Sequence, residues 1–194
     1  MTDQPPKVVI LAGPNGAGKS TSAARLLLGA MQVDEFVNAD TIARGLSAFA
    51  PERVALNAGR IMLRRIKKLS AERASFAFET TLAARSYAPW LKEIQAGGYE
   101  INLLFLWLPS ADMAVARVAD RVRAGGHDVP EATIRRRYAA GLVNLRTLYL
   151  PLADSWRVID NTRQSVVQLI AAGIAGAPPQ IYLEPSWRRI MEAE

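Results

Sequence analysis

Two rhythms of apolar residues alternate along the chain. Short unbroken apolar runs fit strands buried on both faces, and stripes recurring every three or four positions fit helices with one inward face. Val8 to Ala12 is the first run, and Glu35 to Asp40 reads as a short buried strand with a polar end. Ser75 to Phe78 is the third, followed at its carboxyl end by Glu79-Thr80-Thr81. Glu100 to Leu108, EINLLFLWL, is the most apolar segment, and Trp156 to Asp160 is a last strand.

Helical patterns fill the gaps. Ser20 to Leu28 is free of glycine and proline, and Thr41 to Leu46 predicts a helical turn interrupted at Gly45. Pro51 to Ala71 predicts a long helix, with Val54, Ala58, Ile61, Met62, Ile66 and Leu69 as its apolar stripe. Arg60, Arg64, Lys67 and Lys68 fall on another face, which is expected to be solvated. Ser86 to Gln95 is a helix stopped by Gly97-Gly98, and Ala111 to Ala124 one stopped by Gly125-Gly126. Asp128 and Glu131 have capping-box spacing ahead of a stripe through Ile134, Tyr138, Leu142, Leu145 and Leu148. Val166 to Ala172 predicts a last helix, and Ala177-Pro178-Pro179 the start of a C-terminal tail near residue 177. There is no internal repeat. Alternating strands and helices predict an α/β fold with a mainly parallel five-stranded sheet, flanking helices and one domain over residues 1–194.

The first strand leads into chemistry. Gly13, Gly18, Lys19 and Ser20 fit the P-loop spacing G-x-x-x-x-G-K-[ST] within Gly13-Pro14-Asn15-Gly16-Ala17-Gly18-Lys19-Ser20-Thr21. Such a loop turns its backbone N–H groups toward a phosphate at a helix N-terminus. Lys19, expected to stand exposed in the loop, supplies a charge for the β/γ-phosphates, and the Ser20 hydroxyl is a magnesium ligand. The strand before and the helix after complete the context. A nucleoside-triphosphate site is expected.

Composition narrows the classes. With no cysteine in 194 residues, disulfides and cysteine metal sites are excluded, and His127 is the only histidine. MTDQPPKVV lacks a basic region leading into an apolar one, and runs such as Leu103 to Leu108 are too short to cross a bilayer. A soluble cytoplasmic protein without a membrane role is expected. Net charge is +6, carried mostly by arginine, which suits gripping of phosphate and carboxylate. No aromatic-basic stacking stripe supports a nucleic-acid partner.

A P-loop does not by itself separate a kinase from a switch or a motor. No lysine follows an asparagine, so the guanine-reading Asn-Lys-x-Asp pattern is absent. Glu100–Leu108 ends in Pro109 with no aspartate, which argues against a motor ATPase. Acids appear instead at Asp40 and Glu79, each after a strand, and the carboxyl ends of strands are where ligands sit in such sheets. Two carboxylates around one P-loop suit phosphoryl transfer to a hydroxyl. Asp40 also has an alternative as the N-cap of the following helix, and Glu79 one as a strand-end residue bound to backbone. Arg117 and Arg121 share a helix face, and lid arginines neutralise charge on a transferred phosphoryl group. The lid is expected near residues 110–130, with Gly125-Gly126 as its bending point. Arg135-Arg136-Arg137 are consecutive and cannot all face one site.

GPNGAGKST, FVNAD, FAFETT and the Arg117–Arg121 helix followed by GGHDVP resemble the zeta-toxin family of P-loop kinases, over roughly Lys7 to Asn161. The resemblance implies ATP and Mg²⁺ as cofactors. It also implies phosphorylation of the sugar 3′-hydroxyl of UDP-N-acetylglucosamine, and an antitoxin as protein partner. Lys19 and Ser20 then match the family's P-loop lysine and hydroxyl, Asp40 its general base, and Glu79, with Thr80 beside it, the acceptor-binding acid. Arg117 or Arg121 matches the first lid arginine, and Arg123 and His127 stand near the position of the second. Two other readings remain open: a housekeeping kinase of a small metabolite or nucleic-acid 5′ end, and a non-catalytic nucleotide-dependent switch.

Overall fold

The computed structural model describes residues 4–163 and 168–193, apart from the side chain of Ala30. Strands β1 (Lys7–Ala12), β2 (Phe36–Val37), β3 (Phe76–Thr80), β4 (Glu100–Trp107) and β5 (Ser155–Asp160) pair in parallel, in the order β2-β3-β1-β4-β5. Helices α1 (Lys19–Ala24), α2 (Ala39–Leu46), α3 (Ala55–Ala71), α4 (Tyr87–Ala96), α5 (Ala111–Arg123) and α6 (Glu131–Asn144) lie between them. Alternate residues of β1 serve opposite faces: Val8 and Ile10 join one apolar cluster with α3, α4 and the end of α6. Val9 and Leu11 join another with α1 and α5. β4 divides the same way, with Leu103 and Phe105 on one side and Leu104 and Leu106 on the other. This two-sided burial is why both strands read as unbroken apolar runs.

Several elements differ from their local signals. α1 passes at Arg25 into a π-helical stretch reaching Met31, and α6 passes at Leu145 into another reaching Tyr149. α2 runs through Gly45 without a break. A 3-10 turn over Pro51–Val54 precedes α3, whose Ala58, Met62, Ile66 and Leu69 are buried and whose basic face is exposed. The capping box at Asp128 does not form. Pro130 is the N-cap of α6, and the Asp128 carboxylate accepts instead from the Val129 N–H.

The C-terminal quarter overturns two expectations. Gln168–Ile174 is a strand, β6, antiparallel to β5, not the end of a helix; Val166 and Val167 lie outside the described residues. In place of a tail, β7 (Gln180–Ile181) extends the sheet to seven strands and α7 (Glu184–Glu192) packs onto it. Trp187 and Ile190 of α7 are buried, and the Trp187 ring stacks on Trp156 with centroids 5.5 Å apart. No helix among the described residues is long and apolar enough to cross a membrane.

Candidate active site

The turn from β1 to α1 is held rigidly from outside. Gly18 has φ 78°, a left-handed conformation suited to glycine, and a Cβ there would lie 2.8 Å from Asn161 Nδ2. Asn161, buried after β5, donates from that nitrogen to the Ala17 carbonyl at 2.6 Å. Lys19 is buried, at 6% exposure, and not free in the loop as its position in the motif suggests. Its Nζ donates to the carbonyls of Gly13 (2.9 Å) and Pro14 (3.0 Å) and lies 3.6 Å from Glu79 Oε1. Burial pushes its pKa below the ordinary lysine value, and the charges of Glu79 and Asp40 oppose that shift.

β3 lies beside β1 with Leu11 opposite Glu79, so parallel pairing itself delivers this carboxylate to the P-loop. Glu79 lies within β3, one residue before its end. Its Oε2 accepts from the Ser20 hydroxyl at 2.8 Å and from Asn38 Nδ2 at 2.6 Å, so it binds side chains and not backbone. Ser20 and Glu79 form a set of hard oxygen donors, the type that holds Mg²⁺ together with substrate phosphates. They fit that ion. β4 ends without an acid, and β3, β1's other neighbour, supplies the carboxylate at the P-loop.

Asn38 is the N-cap of α2, with Oδ1 accepting from the Thr41 N–H at 3.0 Å. Asp40 is therefore not the cap. It lies in the first turn of α2, exposed, on the wall of a cavity of about 520 Å³ over the P-loop. Asn15, Gly16, Gly18, Lys19, Ser20 and Thr21 form the floor of that cavity, and Glu79 lines it as well.

α5 closes the opposite side, where Arg117 and Arg121 both line the cavity but hold different places. Arg117 donates to the Thr162 carbonyl at 2.5 Å and, at 3.5 Å, to that of Gly16, bracing α5 against the P-loop. Arg121 donates to the His127 carbonyl at 2.6 Å, while its buried Nε has no hydrogen-bond partner among the described residues. Its charge adds a small share to the lowering of the Lys19 pKa. Asn15 Oδ1 is likewise buried without a partner. Such orphaned polar atoms beside a cavity fit a polar ligand. Arg123 pairs with Asp120 and does not line the cavity, whereas His127 does. The glycine pair is a helix stop: Gly125 has φ 82°, and the N–H groups of Gly125 and Gly126 return to the carbonyls of Val122 and Arg121.

A second cavity, of about 490 Å³, opens beyond Asp40. Asn15, Lys19, Asp40 and Glu79 line both spaces, and Thr80, Tyr87 and Arg137 are among the residues of the second alone. Thr80 Oγ1 accepts from the N–H of Leu82, a buried residue with φ 58°. Asn38 went unread in the sequence, where the cap alternative fell to Asp40; its residue type at the end of a strand is the signal that could have found it. Asn161 carried no sequence signal.

Parallel strands in the order β2-β3-β1-β4-β5 with a P-loop after the central strand define the P-loop nucleoside-triphosphate-binding fold of kinases. The chain belongs to the AAA domain family, whose model matches residues 8–140. An uncharacterized protein of Haemophilus influenzae is 26% identical over 132 residues, 68% of this chain and 92% of that one. Among solved structures, the AvrRxo1-ORF1:AvrRxo1-ORF2 complex is similar with sulphate ions (TM-score 0.79, 14% identity) and with ATP (TM-score 0.77, 15% identity). These matches cover 98% of this chain but only 65% and 64% of the matched chains. The PezAT chromosomal toxin-antitoxin system of Streptococcus pneumoniae also matches, with TM-score 0.63 and 15% identity over 86% of this chain and 71% of the other. At such identities the likeness establishes the P-loop kinase fold.

Proposed function

We propose that the protein is an ATP-dependent phosphotransferase of zeta-toxin type, moving the γ-phosphate of ATP to a hydroxyl of a small acceptor. One observation carries this reading: Asp40 stands on the wall shared by the P-loop cavity and the second cavity. A carboxylate there can take the proton of an acceptor hydroxyl entering from one side while the phosphoryl group waits on the other. Lys19 and the P-loop amides bind the β- and γ-phosphates. Ser20 and Glu79 would hold Mg²⁺, which would supply neutralisation of the phosphate charge. Arg121 faces the charge that develops on the transferred group, and Arg117 fixes α5 to the loop. Glu79 and Thr80 border the acceptor.

UDP-N-acetylglucosamine is the first acceptor to test, on the strength of the quoted motifs. The toxin-antitoxin neighbour supports an antitoxin as protein partner, and dependence on ATP suits a cytoplasmic enzyme. The experiment is incubation with γ-labelled ATP and magnesium against a panel of UDP-sugars, sugar phosphates, nucleosides and oligonucleotides, followed by identification of the labelled product. Label on an acceptor hydroxyl supports the reading. Release of inorganic phosphate at one rate whatever is added refutes it in favour of a hydrolytic switch.

A further inference from the structure

The second cavity is lined by two arginines that stand outside the P-loop cavity. Arg136 and Arg137 line it and do not line the P-loop cavity. Their neighbour Arg135 points elsewhere and is satisfied by Asp112 and Glu131. Arg137 is half-buried and makes no hydrogen bond or ion pair among the described residues. Burial and the adjacent Arg136 push its pKa below the ordinary value, and the charge of Asp40 opposes that shift. A guanidinium half-withdrawn from water, with no anion paired to it, favours a negative group entering the cavity that it lines.

The fold holds the pair in place. Gly141, one turn beyond Arg137 on the same face of α6, lies so close to β3 that a Cβ would meet the Thr81 carbonyl oxygen at 2.6 Å. Asn144 Nδ2 donates to the Leu82 carbonyl at 2.7 Å, and Tyr138 donates to that of Leu108 at 2.8 Å. These contacts fix α6 against the end of β3 and hold Arg137 on the wall of the cavity that Thr80 and Tyr87 also line.

Resting on the phosphotransferase reading, we infer that Arg136 and Arg137 form an anion subsite of the acceptor pocket. The acceptor is then a small hydroxyl compound that carries a phosphate or a carboxylate. Arginine suits this task because its planar fork can take two oxygens of either group at once. The anion lies beyond Asp40 from the ATP phosphates, so it belongs to the acceptor. Neutral sugars and alcohols are poor acceptors on this account.

The test fills the P-loop with AMP-PNP and magnesium and titrates three matched probes by calorimetry. These are N-acetylglucosamine, N-acetylglucosamine 1-phosphate and glucuronate. At least one anionic probe should bind roughly tenfold to a hundredfold more tightly than the neutral sugar, the gain expected of charge-assisted contacts. The better of the two identifies the group. Arg136→Ala and Arg137→Met, the latter keeping most of the apolar stem, should each reduce that preference with AMP-PNP affinity and melting temperature unchanged. Equal binding of all three probes overturns the subsite, as does no measurable binding of either anionic probe. So does an anion preference that survives in the double variant. Failure of the wild-type protein to bind AMP-PNP overturns the phosphotransferase reading on which the subsite rests.

Discussion

Asn38 joins two tasks in one side chain, and replacing it tests whether the fold positions Glu79 as described. Its oxygen caps α2, and its nitrogen holds Glu79 Oε2 at 2.6 Å. Loss of an N-cap costs about 0.5–2 kcal/mol, and loss of a hydrogen bond to a charged group about 1.5–3 kcal/mol. Asn38→Ala should therefore lose about 2–5 kcal/mol, which for a chain of this size lowers the melting temperature by roughly 4–20 °C. Asn38→Asp separates the tasks. Aspartate caps as well as asparagine, but it turns a second carboxylate toward Glu79 in place of a donor. Like charges at that range raise the pKa of one of the pair in the folded state. The penalty is thus full at neutral pH and fades as pH falls through that raised pKa. Thermal melts of wild type and both variants from mildly acidic to neutral pH, with ATP affinity measured on each, provide the assay. An Asn38→Ala protein as stable as wild type, or an Asn38→Asp protein whose deficit does not shrink on acidification, would falsify this role of Asn38.

Lys19→Ala should lose nearly all ATP affinity in calorimetry and also lower the melting temperature, because Glu79 is left without its buried cation. Adding Glu79→Gln to that variant should recover stability but not affinity, and stability lost to the same extent in both would contradict the pairing. Arg117→Ala should weaken ATP binding, since it brackets the P-loop, whereas Arg121→Ala should lower turnover more than affinity. Identical kinetic profiles would show that the two places on α5 are not distinct. Trp187→Ala should cost about 3–5 kcal/mol in denaturant unfolding by opening the Trp156 stack, and a cost near zero would mean that α7 does not hold the sheet.

The P-loop and its flanking elements were legible because they obey local rules: a doubly buried strand, glycine spacing and a helix former after it. β6 was not. Its residues form a short apolar run without a clear period, and its partner is Trp156, under whose ring only Gly173 fits: a Cβ there would lie 2.5 Å from the indole. That constraint joins positions far apart in sequence, which no local propensity carries. α7 did offer a signal in Trp187 and Ile190 at helical spacing, outweighed by the two prolines before it. In the site, Asp40 reads as a catalytic carboxylate because it follows a strand, with the cap as its alternative, while the true cap, Asn38, stands two residues earlier. Lys19 was misread as exposed because the motif describes the loop with phosphate present. In the structure its ammonium lies against the loop's own carbonyls.

The measurement closest to the central claim is phosphoryl transfer by Asp40→Asn. Asparagine keeps the size of the side chain but takes no proton, and Asp40 makes no hydrogen bond or ion pair among the described residues that the change would break. A general base contributes about 10²–10⁴-fold to such a step. With the acceptor identified in the panel, ATP affinity, melting temperature and transfer rate are read on one preparation. The expected transfer rate is lower by that factor, with affinity and melting temperature held. Full transfer by Asp40→Asn would remove Asp40 as the base and contradict the reading of the wall between the two cavities.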